Sequence, residues 1–141
     1  MPQSAPVETL EAPVPTPAPT PYERLGGAAA LRQLVDAFYD AMDADPAAAG
    51  IRAMHAADLG PIRDRLFDWL SGWTGGPALY QKRPDAGCIM SAHAPYPIGE
   101  AERDQWMACM RTALARIDTD AETRAIFEAA FTRLAGNLRN R

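Results

Sequence analysis

The sequence predicts an all-α domain built around one core, and three observations carry that prediction. From Tyr22 onward, apolar residues recur at steps of three and four, the period of a helix with one buried face. No stretch alternates apolar and polar residues with period two, so no strand is expected. The chain has 141 residues, enough for one domain and too few for two ordinary ones.

Each element follows from its own pattern. Residues 1–20 read as a Pro/Ala-rich arm, and residues 21–141 as the domain. Seven of the 13 prolines fall within Met1–Pro21, and Pro15-Thr16-Pro17-Ala18-Pro19 cannot hold a helix, because proline lacks an amide donor and fixes φ. The arm is expected to be disordered, extended and solvated. Leu31, Leu34, Val35, Phe38 and Met42 then define a helix that ends before Pro46. Ile62, Leu66, Trp69, Leu70 and Trp73 define the next. Pro61 sits in its permitted first turn, Asp58 or Gly60 caps it, and Gly75-Gly76-Pro77 stops it. Trp106, Met110, Ala113 and Ile117, widened by Met107 and Leu114, make a third stripe. Phe127, Phe131, Leu134 and Leu138 make a fourth, entered through a capping-box pattern from Thr119 to Glu122.

The stretch from Gly75 to Ile98 breaks this regularity. It holds Pro77, Pro84, Pro95 and Pro97, and a loop of that length in a compact domain is usually functional. His93 lies at its far end, on at most one or two helical turns, because Pro95 follows so closely. Its neighbours Ile89, Met90, Ala92, Ala94 and Ile98 are mostly apolar. Neutral imidazole is the commonest protein ligand for a transition metal or haem iron. A core histidine bonded to a carbonyl is the alternative. Acid–base chemistry suits the position less, since no Asp or Glu lies within six residues in sequence.

Composition excludes several classes. A net charge of −4 leaves no basic footprint for nucleic acid. No apolar run approaches the ~18 residues of a membrane span. The first Lys or Arg is Arg24, so no charged leader region of a secretory signal is present, and a cytoplasmic location is expected. Cys88 and Cys109 read as two reduced, buried thiols; with His55 and His93 their spacing is too irregular for zinc.

Five pieces, in order, resemble the truncated haemoglobins, and within them the second group. They are Tyr22-Glu23-Arg24-Leu25-Gly26-Gly27, the pair Phe38-Tyr39, Gly75-Gly76-Pro77 with Tyr80, the run His93-Ala94-Pro95-Tyr96-Pro97-Ile98, and Arg103-Asp104-Gln105-Trp106-Met107-Ala108-Cys109-Met110. The resemblance spans roughly Pro21 to Leu138. It implies a two-over-two helical sandwich around haem b, with His93 as the proximal iron ligand. It implies that Tyr39, His55, Ile62 and Trp106 line the distal face. Leu66, Trp69, Leu70, Tyr80, Ile89, Tyr96 and Ile98 would pack the porphyrin. Met54 is the competing register for His55. Tyrosine hydroxyl, imidazole N–H and indole N–H are all donors, and O2 takes negative charge from ferrous iron, so such donors would favour O2 over neutral CO.

One departure from the family pattern stands out. Arginines that commonly precede the proximal histidine and pair with the haem propionates are replaced here by Cys88-Ile89-Met90-Ser91-Ala92. Lys82, Arg83 or the Tyr80 hydroxyl could substitute. The implied function is reversible binding of O2 or another diatomic gas such as CO or NO. The alternatives are NO dioxygenation or a peroxidase-like reaction, for which a separate reductase would be needed, and a haem-free helical interaction module. A homodimer is one assembly such a chain could form.

Overall fold

The computed structural model describes residues 17–141. Most of the expected arm lies outside the described residues. Thr20, read from sequence as its last residue, instead belongs to the domain: it caps α1 (Pro21–Leu25) through a reciprocal box with Glu23. Six further helices follow. They are α2 (Ala28–Ala44), α3 (Ala49–Arg52), α4 (Gly60–Trp73), α5 (Ile89–His93), α6 (Glu100–Arg116) and α7 (Ala121–Leu138). Single 3-10 turns at Pro46–Ala48 and Tyr80–Lys82 complete the described residues, which contain no strand.

The long helices pair into two layers. α2 packs on α4 and on α6, and α6 packs on α7. Their apolar stripes meet in one core, where Leu31, Leu34, Phe38, Met110, Phe127 and Phe131 are fully buried. Rings lock the layers together: Trp106 lies 5.2 Å from Phe38 on α2 and 5.6 Å from Phe131 on α7, between ring centroids.

Two glycine pairs let short connections turn. Gly26 and Gly27 take φ of 120° and 80°, which joins α1 to α2 without a linker. At the end of α4, Gly75 has φ 96°, and a Cβ on Gly76 would stand 2.6 Å from the Tyr22 ring. α1 is therefore pressed onto the end of α4, where the Tyr22 amide donates to the Thr74 carbonyl at 2.9 Å.

Two helix starts differ from the expected caps. At α4 the cap position falls on Leu59, which offers no side-chain cap, rather than on Asp58 or Gly60; the Asp58 carboxylate, one residue earlier, accepts from the Gly60 amide at 2.9 Å. The expected Thr119–Glu122 box does not form: Asp120 is the cap and accepts from the Thr123 amide at 2.7 Å. A carboxylate one residue closer to the helix outcompetes the hydroxyl, and Glu122 pairs with Arg24 of α1 instead. The cysteine expectation holds for Cys109, which is buried; Cys88 is exposed, because α5 packs on no core.

Candidate functional site

The layers leave one large cleft, of about 590 Å³. Its walls come from α2, the α3–α4 connection, α4, the α5 segment, α6 and α7. The size falls within the range of small-molecule and cofactor sites. Ile62, Leu66 and Trp69 of α4, Ile89 and Ile98 flanking His93, and Trp106 of α6 all line it and are half-buried. Large apolar side chains at that partial burial, facing one another, mark a surface shaped for an apolar occupant.

His93 reaches this cleft from α5, a helix with no buried residue. Its Nδ1 lies 2.7 Å from the Ile89 carbonyl. A carbonyl can only accept, so Nδ1 carries a proton, and in the neutral ring Nε2 is the nitrogen with the lone pair. The ring is oriented by backbone, with no carboxylate involved. Pro95 and Pro97 force the chain out of the helix directly after it.

On the other side, α2 supplies Tyr39 and the α3–α4 connection supplies His55, with ring centroids 5.8 Å apart. Tyr39 is 3% exposed. Burial pushes its hydroxyl well above the ordinary value, opposed only by the Arg63 guanidinium, 5.9 Å from the ring. The phenol therefore stays protonated and able to donate. Arg63 is itself held by Asp36 and Asp40, with bonds of 3.2 and 2.7 Å. No hydrogen bond ties the Tyr39 hydroxyl or the Trp106 indole to another described residue, neither atom is a buried orphan, and both residues line the cleft.

His55 is different. Its Nδ1 lies 2.7 Å from the Ile51 carbonyl; burial lowers its pKa below the ordinary 6.5, the bond to Ile51 opposes that shift, and the Arg52 charge adds to it. At neutral pH the ring is neutral, its N–H is spent on Ile51, and Nε2 offers a lone pair. The N–H expected there from sequence is thus available only to the imidazolium form. The loop is pinned by Arg52, which bonds the Ala56 and Ala57 carbonyls at 2.9 and 3.0 Å and Asp43 at 2.9 Å. Met54 lines the cleft as well as His55.

Of the residues singled out from sequence, Tyr39, His55, Ile62, Leu66, Trp69, Tyr80, Ile89, His93, Tyr96, Ile98 and Trp106 all line this one cleft. Leu70 does not: it points into the core and is fully buried. One residue round the helix from Trp69, it shares the apolar stripe but faces the other layer. Trp73 is off the cleft too, 38% exposed and stacked on Trp69 at 5.4 Å.

Three cations stand at the cleft, two of which the sequence reading missed. Arg83, expected as a substitute, lines it and bonds Asp68 at 2.7 Å. Arg65 lines it too; it is paired with Asp85 and bonds the Tyr80 hydroxyl at 3.3 Å. Arg103 is the third. Lys82 is not on the wall. Arg65 could have been found from helical spacing, since it precedes Leu66 and lies three residues beyond Ile62 on α4.

Comparison with known proteins places the fold in a family. Residues 20–140 match the bacterial-like globin family. The group 2 truncated hemoglobin YjbI of Bacillus subtilis is 31% identical over 104 residues, covering 74% of this chain and 76% of that protein. Among solved structures, the cold-adapted truncated hemoglobin of Pseudoalteromonas haloplanktis superposes with a TM-score of 0.83 at 36% identity, over 87% of this chain and 99% of its own. The group II 2-on-2 hemoglobin of Agrobacterium tumefaciens gives 0.82 at 38% identity, over 89% of this chain and 98% of its own.

Proposed function

The chain belongs to the bacterial-like globin family, and on that premise we propose that its cleft holds haem b by His93 and reversibly binds O2 or a similar diatomic gas. One observation carries the reading: His93, with its Nδ1 bonded to the Ile89 carbonyl, lines the same apolar cleft as Tyr39 and Trp106, whose hydroxyl and indole N–H have no partner among the described residues. The residues fit the group chemically. The half-buried ring of Ile62, Leu66, Trp69, Ile89, Ile98 and Trp106 would lose its remaining water to a flat apolar porphyrin. Arg65, Arg83 and Arg103 supply cations for carboxylates at the rim, in place of the arginines absent before His93. Held there, ferrous haem would supply an iron able to bind a diatomic gas reversibly.

The chain's own residues do the rest. His93 ligates and is held in one tautomer by Ile89. Tyr39 and Trp106 donate to a ligand that has gained charge, and give little to neutral CO. His55 stands beside Tyr39 with a lone pair, which suits a closing contact in the absence of gas better than donation. Ile62 and Leu66 exclude water. We assign the protein to the cytoplasm, a setting that the free, exposed thiol of Cys88 fits. There it would carry oxygen, with a separate reductase returning oxidised iron to the ferrous form.

The test is the absorption spectrum of the purified protein. A strong Soret band is expected. His93→Ala should lose the haem, or bind it so weakly that added imidazole restores the band. A His93→Ala protein with the wild-type spectrum and no added imidazole would end the proposal.

A further inference from the structure

The segment that carries His93 is poorly anchored by packing. α5 has five residues, none of them buried, and it makes no extensive contact with another helix. Pro95 and Pro97 remove two amide donors just downstream, so this backbone cannot build a ladder of its own. Two polar ties hold it. At its start, the Tyr80 hydroxyl bonds the Gly87 carbonyl at 3.2 Å and accepts from the Gly87 amide at 3.3 Å. At its end, Asn140, just past α7, makes the other tie.

That second tie is unusually complete. The Asn140 amide donates to the Ile98 carbonyl at 2.8 Å, and its Oδ1 accepts from the Ile98 amide at 2.9 Å, so one residue satisfies both backbone groups of Ile98. Its Nδ2 donates to the Tyr96 carbonyl at 2.8 Å and to the His93 carbonyl at 3.4 Å. Arg141 adds an amide bond to Ile98 at 3.1 Å. In each bond one partner lies within five residues of His93 and the other lies more than forty residues away in sequence.

We infer that Asn140 is a positioning residue for the iron ligand: the chain's C-terminal end clips the loop behind His93 and sets how firmly the imidazole is presented to the cleft. An amide side chain suits these three bonds because it carries a carbonyl acceptor and two N–H donors. Asp keeps the acceptor for Ile98 and loses the donor to Tyr96 and His93. Ala loses both. The inference rests on His93 being the proximal ligand.

The experiment uses the full-length haem protein. Resonance Raman of the ferrous, gas-free form reads the iron–histidine stretch directly, and transfer to excess apomyoglobin reads haem loss. Asn140→Ala should shift or broaden the stretch and speed haem loss by about tenfold, the scale of losing two or three partly exposed hydrogen bonds. Asn140→Asp should fall between Ala and wild type. Asn137→Ala, an exposed asparagine on α7, should match wild type. Hydrogen exchange at the Ile98 amide should rise in Asn140→Ala and stay near wild type in Asn140→Asp, which keeps the acceptor; this readout keeps the clip testable should Asn140→Ala hold haem poorly. An unshifted stretch with unchanged haem loss overturns the inference. So does a variant that only melts earlier while its folded fraction keeps the wild-type stretch. Were wild type to show no stretch that His93→Ala removes, the assignment of His93 itself would fall instead.

Discussion

Replacing Tyr39 with phenylalanine removes one hydroxyl and little else. The ring sits edge-on to Phe38 at 4.9 Å and to His55 at 5.8 Å, and phenylalanine keeps both contacts. No described residue is bonded to the hydroxyl, so its loss strands no buried partner and should leave stability nearly unchanged. Its effect should therefore fall on the gas ligand. A hydrogen bond to a ligand that carries charge is worth about 1.5–3 kcal/mol. At 1.4 kcal/mol per tenfold, oxygen dissociation should accelerate by roughly ten- to a hundredfold. CO takes little charge, so its release should change far less. Trp106→Phe should act in the same sense but less cleanly, because the smaller ring also loosens contacts to Phe38 and Phe131. The two donors share one acceptor, so the double variant should fall short of the product of the single effects. Stopped-flow dissociation of O2 and CO from both variants makes the measurement. Equal factors for O2 and CO would refute the hydrogen-bond mechanism and leave Tyr39 and Trp106 as steric walls.

Other substitutions test the scaffold. Gly76→Ala places a Cβ 2.6–2.8 Å from three atoms of the Tyr22 ring, so α1 must lift off α4; a loss of about 1–3 kcal/mol is expected in urea unfolding, with a near-wild-type midpoint as the contrary result. Asp120 is held below its ordinary 3.8 by the Thr123 amide and hydroxyl, so its capping contribution is full above about pH 4 and disappears as pH falls through the lowered value. Asp120→Ala should melt earlier than wild type at neutral pH, and the two melting curves should converge on acidification. A gap that persists in strong acid would mean the side chain acts through packing.

Most of the fold was legible in the sequence because each long helix carries its own apolar stripe, a local property that packing then confirms. Leu31 to Met42 and Phe127 to Leu138 announce their buried faces without reference to any partner. The glycine pairs were legible as turns. The reason they are needed was not: the closeness of Gly76 to Tyr22 exists only once α1 lies on α4. Most of the cleft residues could be named in advance from the ordered motifs, His93 above all. Capping slipped by one residue at α7, because Thr119 and Asp120 are both good caps and the choice depends on where Glu122 finds Arg24.

The sequence by itself determined that the chain is helical, where its core stripes run, and which histidine is set apart in an apolar, proline-flanked stretch. The tertiary structure alone decided three things. Leu70 and Trp69 are adjacent, yet one enters the core and the other the cleft, since 100° of helical rotation separates them and only the position of the opposite layer says which side is which. The proton of His55 is committed to Ile51, a matter of one carbonyl's placement at the end of α3. Asn140 reaches His93 and Ile98 across more than forty residues, and a contact of that kind leaves no periodicity or spacing in the chain, because it is made by folding and by nothing local.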